Sequence, residues 1–295
     1  MAVLQKNRTN KPKSQAIEVI KRLARNKLAM LGLFVIILMV LMAIFAPLIA
    51  PYGYETQNMK EVYLSPCKEH LLGTDRLGRD ILSRLIYGAR QSLRIGVFSV
   101  AIGAVLGTSL GAIAGFYGGK TDNIIMRILD IYQSIPGMLL SIALAASLGP
   151  GVNNAILAVG ISTIPVYSRI IRASIMTVRD KEYIEAATAI NASDFRIITR
   201  HVLPNSFAPL IVEITMNIGN SILMAATLSF IGLGAQPPSP EWGAMLSEGR
   251  NFMRDYGYLV IYPGICIMAS VLSFNMLGDG LRDALDPRLK NYEDF

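Results

Sequence analysis

Cysteine, tryptophan, histidine and charged residues are all scarce in this chain of 295 residues. Two cysteines in such a length exclude a small secreted domain held together by disulfides. Charged residues make up 17% of the chain, against roughly 25% in soluble domains, which disfavours an ordinary soluble enzyme. The apolar share of 52% and the mean hydropathy of +0.43 exclude an intrinsically disordered chain.

Long apolar runs account for the excess of hydrophobic residues. A helix that rises 1.5 Å per residue crosses a bilayer with about 20 mostly apolar residues. Six runs satisfy this requirement: 28–50, 93–117, about 123–148, about 155–175, about 206–234 and about 259–278. The sequence therefore predicts an all-α integral membrane protein with six transmembrane helices.

The distribution of lysine and arginine predicts the orientation in the membrane. The arm 1–27 carries eight basic residues and one acidic residue, and the stretch 169–205 carries six basic residues. Because basic residues are retained on the inner side, we expect both termini, including the tail 281–295, in the cytoplasm. The expected outer loop 51–92 fits less well, since it has six basic and five acidic residues. The net charge of +7 then reflects topology and an arm attracted to anionic lipid, without nucleic acid as a partner.

Four glycines recur at every fourth position of the second run, and they are Gly103, Gly107, Gly111 and Gly115. This spacing places all of them on one helix face. Lipid gives helices no hydrophobic reason to associate, so close backbone approach must supply the contact. The stripe predicts a tightly packed interior helix, with no further function required.

Three ionisable residues inside the runs are costly to place in lipid. Arg127 and Asp130 lie three residues apart, and we expect them to form a structural ion pair. Glu213 stands alone in the fifth run. It could face the helix bundle, a water-filled substrate pathway or a partner subunit.

Catalytic and metal sites are not expected in this chain. The run 115–121 resembles the end of a phosphate-binding loop, but Ala114 occupies the position of its first glycine and no strand precedes it. His70 and His201 fall on opposite sides of the membrane in the expected topology, so they cannot share a metal ion. No Ser/His/Asp set is visible either.

The cytoplasmic stretch 179–205 is too polar for lipid and too regular for a loose connection. Ile184, Ala187 and Ile190 recur at helical spacing, and Asn191 is suited to the left-handed position that ends a helix. Ser193 can cap a second helix, whose apolar positions are Phe195, Ile197, Ile198 and Val202. Pro204 is expected to end this unit.

The two short helices should present an apolar stripe that nothing visible in this chain covers. Such a stripe favours a docking surface for a cytoplasmic partner that receives a helix in a groove. An amphipathic helix lying on lipid headgroups is the alternative.

The same stretch resembles the E-A-A loop of ABC importer permeases, whose signature is E-A-A, three residues, G, nine residues and I-x-L-P. The matching residues are Glu185, Ala186, Ala187, Leu203 and Pro204, while Asn191 replaces the glycine and His201 the isoleucine. The variant at 201–205 is similar to that of the dipeptide/oligopeptide/nickel branch. Further matches to that branch lie at 70–75, 78–80, 88–93, 228–234, 241–243 and 278–288.

The resemblance implies a type I importer permease and a division of labour. Two permeases, usually two similar but distinct chains, would form the pathway in the plasma membrane of a prokaryote. Two partner ATPase subunits would bind ATP and Mg, and this chain would bind no cofactor itself. The coupling residues implied are Glu185, Ala186, Ala187, Asn191, Ser193, His201, Leu203 and Pro204. An extracytoplasmic solute-binding protein would deliver the substrate.

Several alternatives stay open at the level of sequence. Short peptides are the leading substrate class and nickel is the second. A secondary transporter would show paired ionisable residues at mid-membrane and internal repeats, and a membrane enzyme would show a convergent catalytic set. The amphipathic segment 77–93 and the loop 235–258 could each receive the binding protein or simply cap the bundle.

Overall fold

A computed structural model describes residues 15–286, and every regular element in that range is helical. The α-helices have the following bounds: α1 Gln15–Arg25, α2 Lys27–Ile49, α3 Ile81–Tyr117, α4 Gly119–Gln133, α5 Gly137–Leu148, α6 Val152–Ser162, α7 Ile164–Val178, α8 Glu182–Ala189, α9 Asp194–Ile197, α10 Leu203–Phe230, α11 Trp242–Gly249 and α12 Tyr258–Leu285. A π-type turn (Ile198–Val202) joins α9 to α10, and a 3₁₀ turn (Arg250–Phe252) follows α11.

Within residues 15–286, five helical segments are long and apolar enough to cross a membrane. They are α2, α3, α6 with α7, α9 with α10, and α12. The pair α4 and α5 adds a sixth when it is counted as one span. The all-helical membrane fold predicted from the sequence is therefore confirmed.

The third span is not the continuous helix that the sequence predicts. The axes of α4 and α5 differ by 82°, and the break lies at 134–136. Pro136 causes this break because it has no backbone N–H and disfavours helical geometry at Ile135. A smaller interruption separates α6 from α7 at Thr163, two residues before Pro165.

Helix α3 is the longest continuous element of the described chain. Asp80 caps its start, since one carboxylate oxygen accepts hydrogen bonds of 2.7 Å from both the amide and the hydroxyl of Ser83. The expected amphipathic segment 77–93 thus begins at Ile81 and continues without a break into the second span. At 1.5 Å per residue, its 37 residues measure about 55 Å, which exceeds the thickness of a bilayer core.

The glycine stripe of α3 packs against α6 and α7. A Cβ added at Gly107 would lie 2.6 Å from the carbonyl oxygen of Ile164, and one at Gly115 would lie 3.1 Å from that of Arg172. At Gly111 the backbone of Ser168 occupies the same space. The hydroxyl of Ser168 also donates a 2.9 Å hydrogen bond to the carbonyl oxygen of Gly107. Only glycine permits this close contact along the stripe.

Candidate functional site

The helix α8 ends in a left-handed turn at Asn191, as the sequence predicts. Asn191 has a φ of +59°, and its amide donates to the carbonyl oxygen of Thr188 at 2.9 Å. The next amide, of Ala192, donates to the carbonyl oxygen of Ala187 at 3.2 Å. These two bonds form a Schellman motif, in which asparagine is the usual substitute for glycine.

The second short helix differs from its prediction at both ends. Ser193 lies at the N-cap position of α9, but its side chain makes no capping hydrogen bond. At the other end, Pro204 does not terminate the unit, because α9 continues through the π-type turn into α10. Pro204 occupies the first turn of α10, where a missing N–H is tolerated. The second part of the segment 179–205, which we call the coupling segment after the resemblance, is therefore helically continuous with the fifth span.

The prediction that nothing in this chain covers the apolar stripe is wrong for most of its residues. Ile184 and Ala187 of α8, with Ile197 and Val202 of the second unit, are buried. They share one apolar cluster with residues of α7 and α10, including Tyr167, Ile171 and Leu210. The stripe fixes the two short helices to the transmembrane bundle, and most of it is therefore covered without a partner protein.

A smaller apolar surface remains exposed at the tip of this segment. The side chains of Ile190 and Phe195 are 81% and 78% exposed, and they flank the turn at Asn191. Tyr183 is also exposed. Glu185 lies in the first turn of α8, where a carboxylate interacts favourably with the helix dipole, and it points to solvent. We call Tyr183, Ile190 and Phe195 the tip surface.

Polar contacts tie the coupling segment to the helices beside it. The Arg179 guanidinium donates a 2.9 Å hydrogen bond to the carbonyl oxygen of Gly115, at the end of α3. The phenol of Tyr117 donates to the carboxylate of Asp194 in α9. Arg172 and Asp122 form an ion pair between α7 and α4. These contacts join the segment 179–205 to α3, and they join α7 to α4.

Asp130 pairs with a different residue from the one that its spacing predicts. Its carboxylate accepts a 2.6 Å hydrogen bond from Arg169 of α7, whereas the sequence predicts Arg127 as its partner. Both members of the pair are about half exposed. The pairing of helices α4 and α7 decides this contact, and spacing along α4 alone does not reveal it.

A buried ionic network joins the outer loop to α11. Asp75 accepts hydrogen bonds of 2.6 Å from both Arg79 and Arg84. Glu248 accepts from the same two guanidinium groups, at 2.7 Å from Arg79 and 2.8 Å from Arg84. Both arginine side chains are almost fully buried. These pairs fix the loop that precedes α3 to α11.

Glu241 and Trp242 connect α11 to the first part of α3. The carboxylate of Glu241 accepts from the amide of Ala244 at 2.9 Å and from the hydroxyl of Ser92 at 3.2 Å. Complete burial raises the pKa of Glu241, and these hydrogen bonds only partly oppose that effect. The indole of Trp242 donates to the carbonyl oxygen of Leu85 at 3.1 Å. Loop 235–258 is thus fixed to the same helix that reaches the coupling segment.

Glu213 lies in the wall of a cavity of about 490 Å³ between α7, α10 and α12. Asn217, one turn further along α10, donates a 2.7 Å hydrogen bond to its carboxylate. Arg282 and Asp286 at the end of α12 line the same cavity. The sequence singles out Glu213 but gives no sign of this cavity, because its other charged residues lie about 70 positions away.

Two family models match the chain. The model described as "Binding-protein-dependent transport system inner membrane component" matches residues 107–291. The model described as "N-terminal TM domain of oligopeptide transport permease C" matches residues 14–66.

Curated relatives match nearly the whole chain. The dipeptide transport system permease protein DppC of Alkalihalophilus pseudofirmus is 48% identical over 93% of this chain and 90% of its own length. The glutathione transport system permease protein GsiD of Pectobacterium atrosepticum is 47% identical over 88% of this chain and 86% of its own. Among solved structures, the inward-facing MetNI methionine ABC transporter aligns with a TM-score of 0.55 at 20% identity. That alignment covers 69% of this chain and 96% of the other, and it shows a shared fold.

Proposed function

Since this chain belongs to the permease family of binding-protein-dependent ABC importers, we propose that it forms part of a pathway for short peptides across a prokaryotic plasma membrane. Both termini would lie in the cytoplasm. A sister permease would complete the pathway. This family favours ATP-driven import over the alternatives of a secondary transporter or a membrane enzyme.

The proposed substrate class rests on the relatives. The names of the two relatives described above refer to a dipeptide and to glutathione, which is itself a tripeptide in its chemistry. Nickel, the second candidate from the sequence, is not favoured by any of these names. We therefore assign short peptides as the cargo.

The tip surface is the proposed contact with one of two ATPase subunits, which would bind ATP and Mg. The observation that carries this proposal is the exposure of Ile190 and Phe195 on either side of a fixed turn. Large apolar side chains at a helix tip suit insertion into a groove of a partner protein. Glu185, Ala186, Asn191, Ser193 and Pro204 are also exposed on this segment. Of these, Glu185, Asn191 and Ser193 supply its polar side chains.

The remaining residues of the coupling segment hold it in place. Ala187 is buried, and His201 and Leu203 are half-buried where the segment joins α10. Closure of the ATPases would therefore move the segment as a unit and pull on α3 through Arg179 and on α10 directly. Such a movement would switch the pathway between outward-open and inward-open states.

Helix α3 would carry this movement across the membrane. Its inner end contacts Arg179, and its outer end carries Arg84 of the ionic network. The outer loop, α11 and α3 are fixed to one another by that network and by Trp242. A solute-binding protein docked on these outer elements would consequently be linked to the inner side by one rigid helix.

Co-purification of the complete importer tests the ATPase contact. We expect Phe195→Asp to lose the ATPase subunits, because a charge at the centre of an apolar contact costs about 2 kcal/mol or more. That cost corresponds to roughly 30-fold weaker association. Leu71→Asp is the matched control, since Leu71 is an exposed apolar residue of the outer loop.

In the same preparations, peptide-stimulated ATP hydrolysis should be lost in Phe195→Asp, while Leu71→Asp serves as the control for association of the ATPase subunits only. Retention of both the ATPase subunits and the stimulated hydrolysis in Phe195→Asp would refute the proposed contact.

A further inference from the structure

The cavity beside Glu213 has the composition of a small-molecule site. Its walls are mostly apolar and are formed by Ile170, Ala208, Pro209, Val212 and Leu285. The volume of about 490 Å³ falls within the range of roughly 300–1,000 Å³ that is typical of ligand pockets. A few charged groups interrupt this apolar lining, as in pockets that fix the orientation of a ligand.

Opposite charges line this cavity without neutralising each other. In residues 15–286, Glu213 and Arg282 form no ion pair, although both face the same space. The carboxylate of Glu213 accepts a hydrogen bond from the neutral amide of Asn217. The guanidinium of Arg282 lies 3.9 Å from the sulfur of Met216 and 4.0 Å from the carboxylate of Asp279. The contact with Asp279 is a long, solvent-exposed ion pair, so Arg282 keeps N–H donors that can bind another charged group.

The placement of Met216 brings the two charges near each other. Met216 lies three residues after Glu213 on α10, so the two side chains share a helix face. Arg282 reaches that face from α12. Asp286, the other carboxylate of the wall, already has interactions of its own. The carboxylate of Glu213 and the guanidinium of Arg282 therefore occupy neighbouring parts of one largely apolar cavity.

We propose that this cavity binds the charged ends of a short zwitterionic peptide, with the ammonium group at Glu213 and the carboxylate at Arg282. A carboxylate inside an apolar span, such as that of Glu213, is costly, and a ligand of complementary charge lowers that cost. A guanidinium matches a carboxylate in shape and charge, while a single carboxylate accepts from an ammonium group. This inference rests on the proposed function, because it specifies how the permease itself would recognise the cargo.

The location indicates a binding step on the inner side of the pathway. Ala208, Pro209 and Glu213 belong to the first turns of α10, which directly follow the coupling segment. Arg282 and Leu285 belong to the last turns of α12. Motion of the coupling segment would therefore change the shape of this cavity and release the peptide. Glu213 and Arg282 become specificity-determining residues of the permease.

Protection of an engineered cysteine tests this inference without the binding protein. The probe is the complete nucleotide-free importer, with Cys67 and Cys266 of this chain replaced by serine and with Ala208→Cys in the cavity wall. The rate of labelling of this chain by a maleimide is measured with dialanine, N-acetyl-dialanine and dialanine amide. Ile170→Cys serves as a second reporter, and Asn220→Cys, an exposed position of α10 outside the cavity lining, is the control.

We expect dialanine to slow labelling at Ala208→Cys about threefold when its concentration is twice the dissociation constant found by titration. The protection factor equals one plus the ratio of ligand concentration to dissociation constant. The two blocked analogues should protect much less. Glu213→Gln should remove the protection by dialanine, Glu213→Asp should keep part of it, and Asn220→Cys should show none.

Equal protection by the blocked analogues would overturn the inference, as would absence of protection at both reporters in an importer that still transports dialanine. In the second case the proposed function would stand and only the site would fail. Absence of both dialanine transport and dialanine-stimulated ATP hydrolysis in the parent importer would instead refute the peptide-importer proposal and this inference with it.

Discussion

Removal of the Glu248 charge should weaken the outer side of the permease. In Glu248→Gln, the buried guanidinium groups of Arg79 and Arg84 keep Asp75 as their one carboxylate partner within the network. One buried positive charge is then left without a counter-ion. Loss of one partner of a buried ion pair costs about 3–5 kcal/mol. The Glu248 side chain is 16% exposed, so water reaches it and the lower end of that range, about 3 kcal/mol, applies.

A thermal melt of the detergent-solubilised importer measures this effect. A loss of about 3 kcal/mol corresponds to a decrease in Tm of roughly 6–12 °C for a unit of 150–250 residues. Trp242 is the single tryptophan of this chain, and its indole is buried between α11 and α3. Subtraction of the fluorescence of a Trp242→Phe importer isolates the signal of this region. Glu69→Gln is the matched control, since Glu69 is an exposed carboxylate of the same outer loop.

A double-mutant cycle separates this network from general damage. Arg79→Met combined with Glu248→Gln should show a coupling energy of about 1 kcal/mol or more, because the two side chains are in direct contact. If Glu248→Gln melts at the same temperature as Glu69→Gln, the network does not stabilise the outer side and the reasoning is refuted.

Three further outcomes follow from particular contacts. Asn191→Gly should leave the stability of the coupling segment unchanged or slightly higher, whereas Asn191→Val should cost about 1–2 kcal/mol, because position 191 has a φ of +59°. Proteolysis between α8 and α9 measures both variants, and equal cleavage of the two would contradict the prediction. Gly111→Ala should cost about 1–3 kcal/mol because the backbone of Ser168 fills the space, whereas Gly264→Ala has open space and should be nearly neutral. Thermal melts compare the two variants, and equal Tm values would exclude a packing role for the stripe. Because burial raises the pKa of Glu241, its protonated form stabilises the fold fully below the usual value of 4.5, and this stabilisation is lost as pH rises through the raised pKa. The Tm should therefore fall as pH rises above 4.5 in the parent and fall less in Glu241→Gln; parallel pH dependence in both proteins would show that Glu241 is not responsible.

Features that depend on neighbouring residues could be predicted from the sequence. The apolar runs predict the transmembrane spans, since about 20 apolar residues suffice to cross a bilayer. Asn191 was predicted to be left-handed because few residues other than glycine and asparagine adopt that conformation after a helix. The regular spacing of Gly103 to Gly115 likewise predicted a packed face, which lies against α6 and α7.

Features that depend on distant residues could not be predicted in this way. The ionic network joins Asp75 and Arg84 to Glu248, more than 160 positions away, and no local pattern links them. The partner of Asp130 lies on another helix for the same reason. The apolar stripe of the coupling segment looked uncovered because a sequence does not reveal that α7 and α10 pack over it.

The bend between α4 and α5 falls between these two cases. Pro136 and Gly137 are visible in the sequence and weaken a helix, but hydropathy averaged over 20 residues hides them. A proline inside a membrane helix is often accommodated without a large change in direction. The angle of 82° is therefore a property of the folded bundle.

Crosslinking from position 195 in intact cells tests the central claim most directly. A photoreactive amino acid replaces Phe195 in one strain and Leu71 in another, and the adducts of this chain are identified by mass spectrometry. The account predicts that position 195 forms adducts with the ATPase subunits and that position 71 does not. Adducts of position 195 with lipid alone, or with an extracytoplasmic protein, would contradict it.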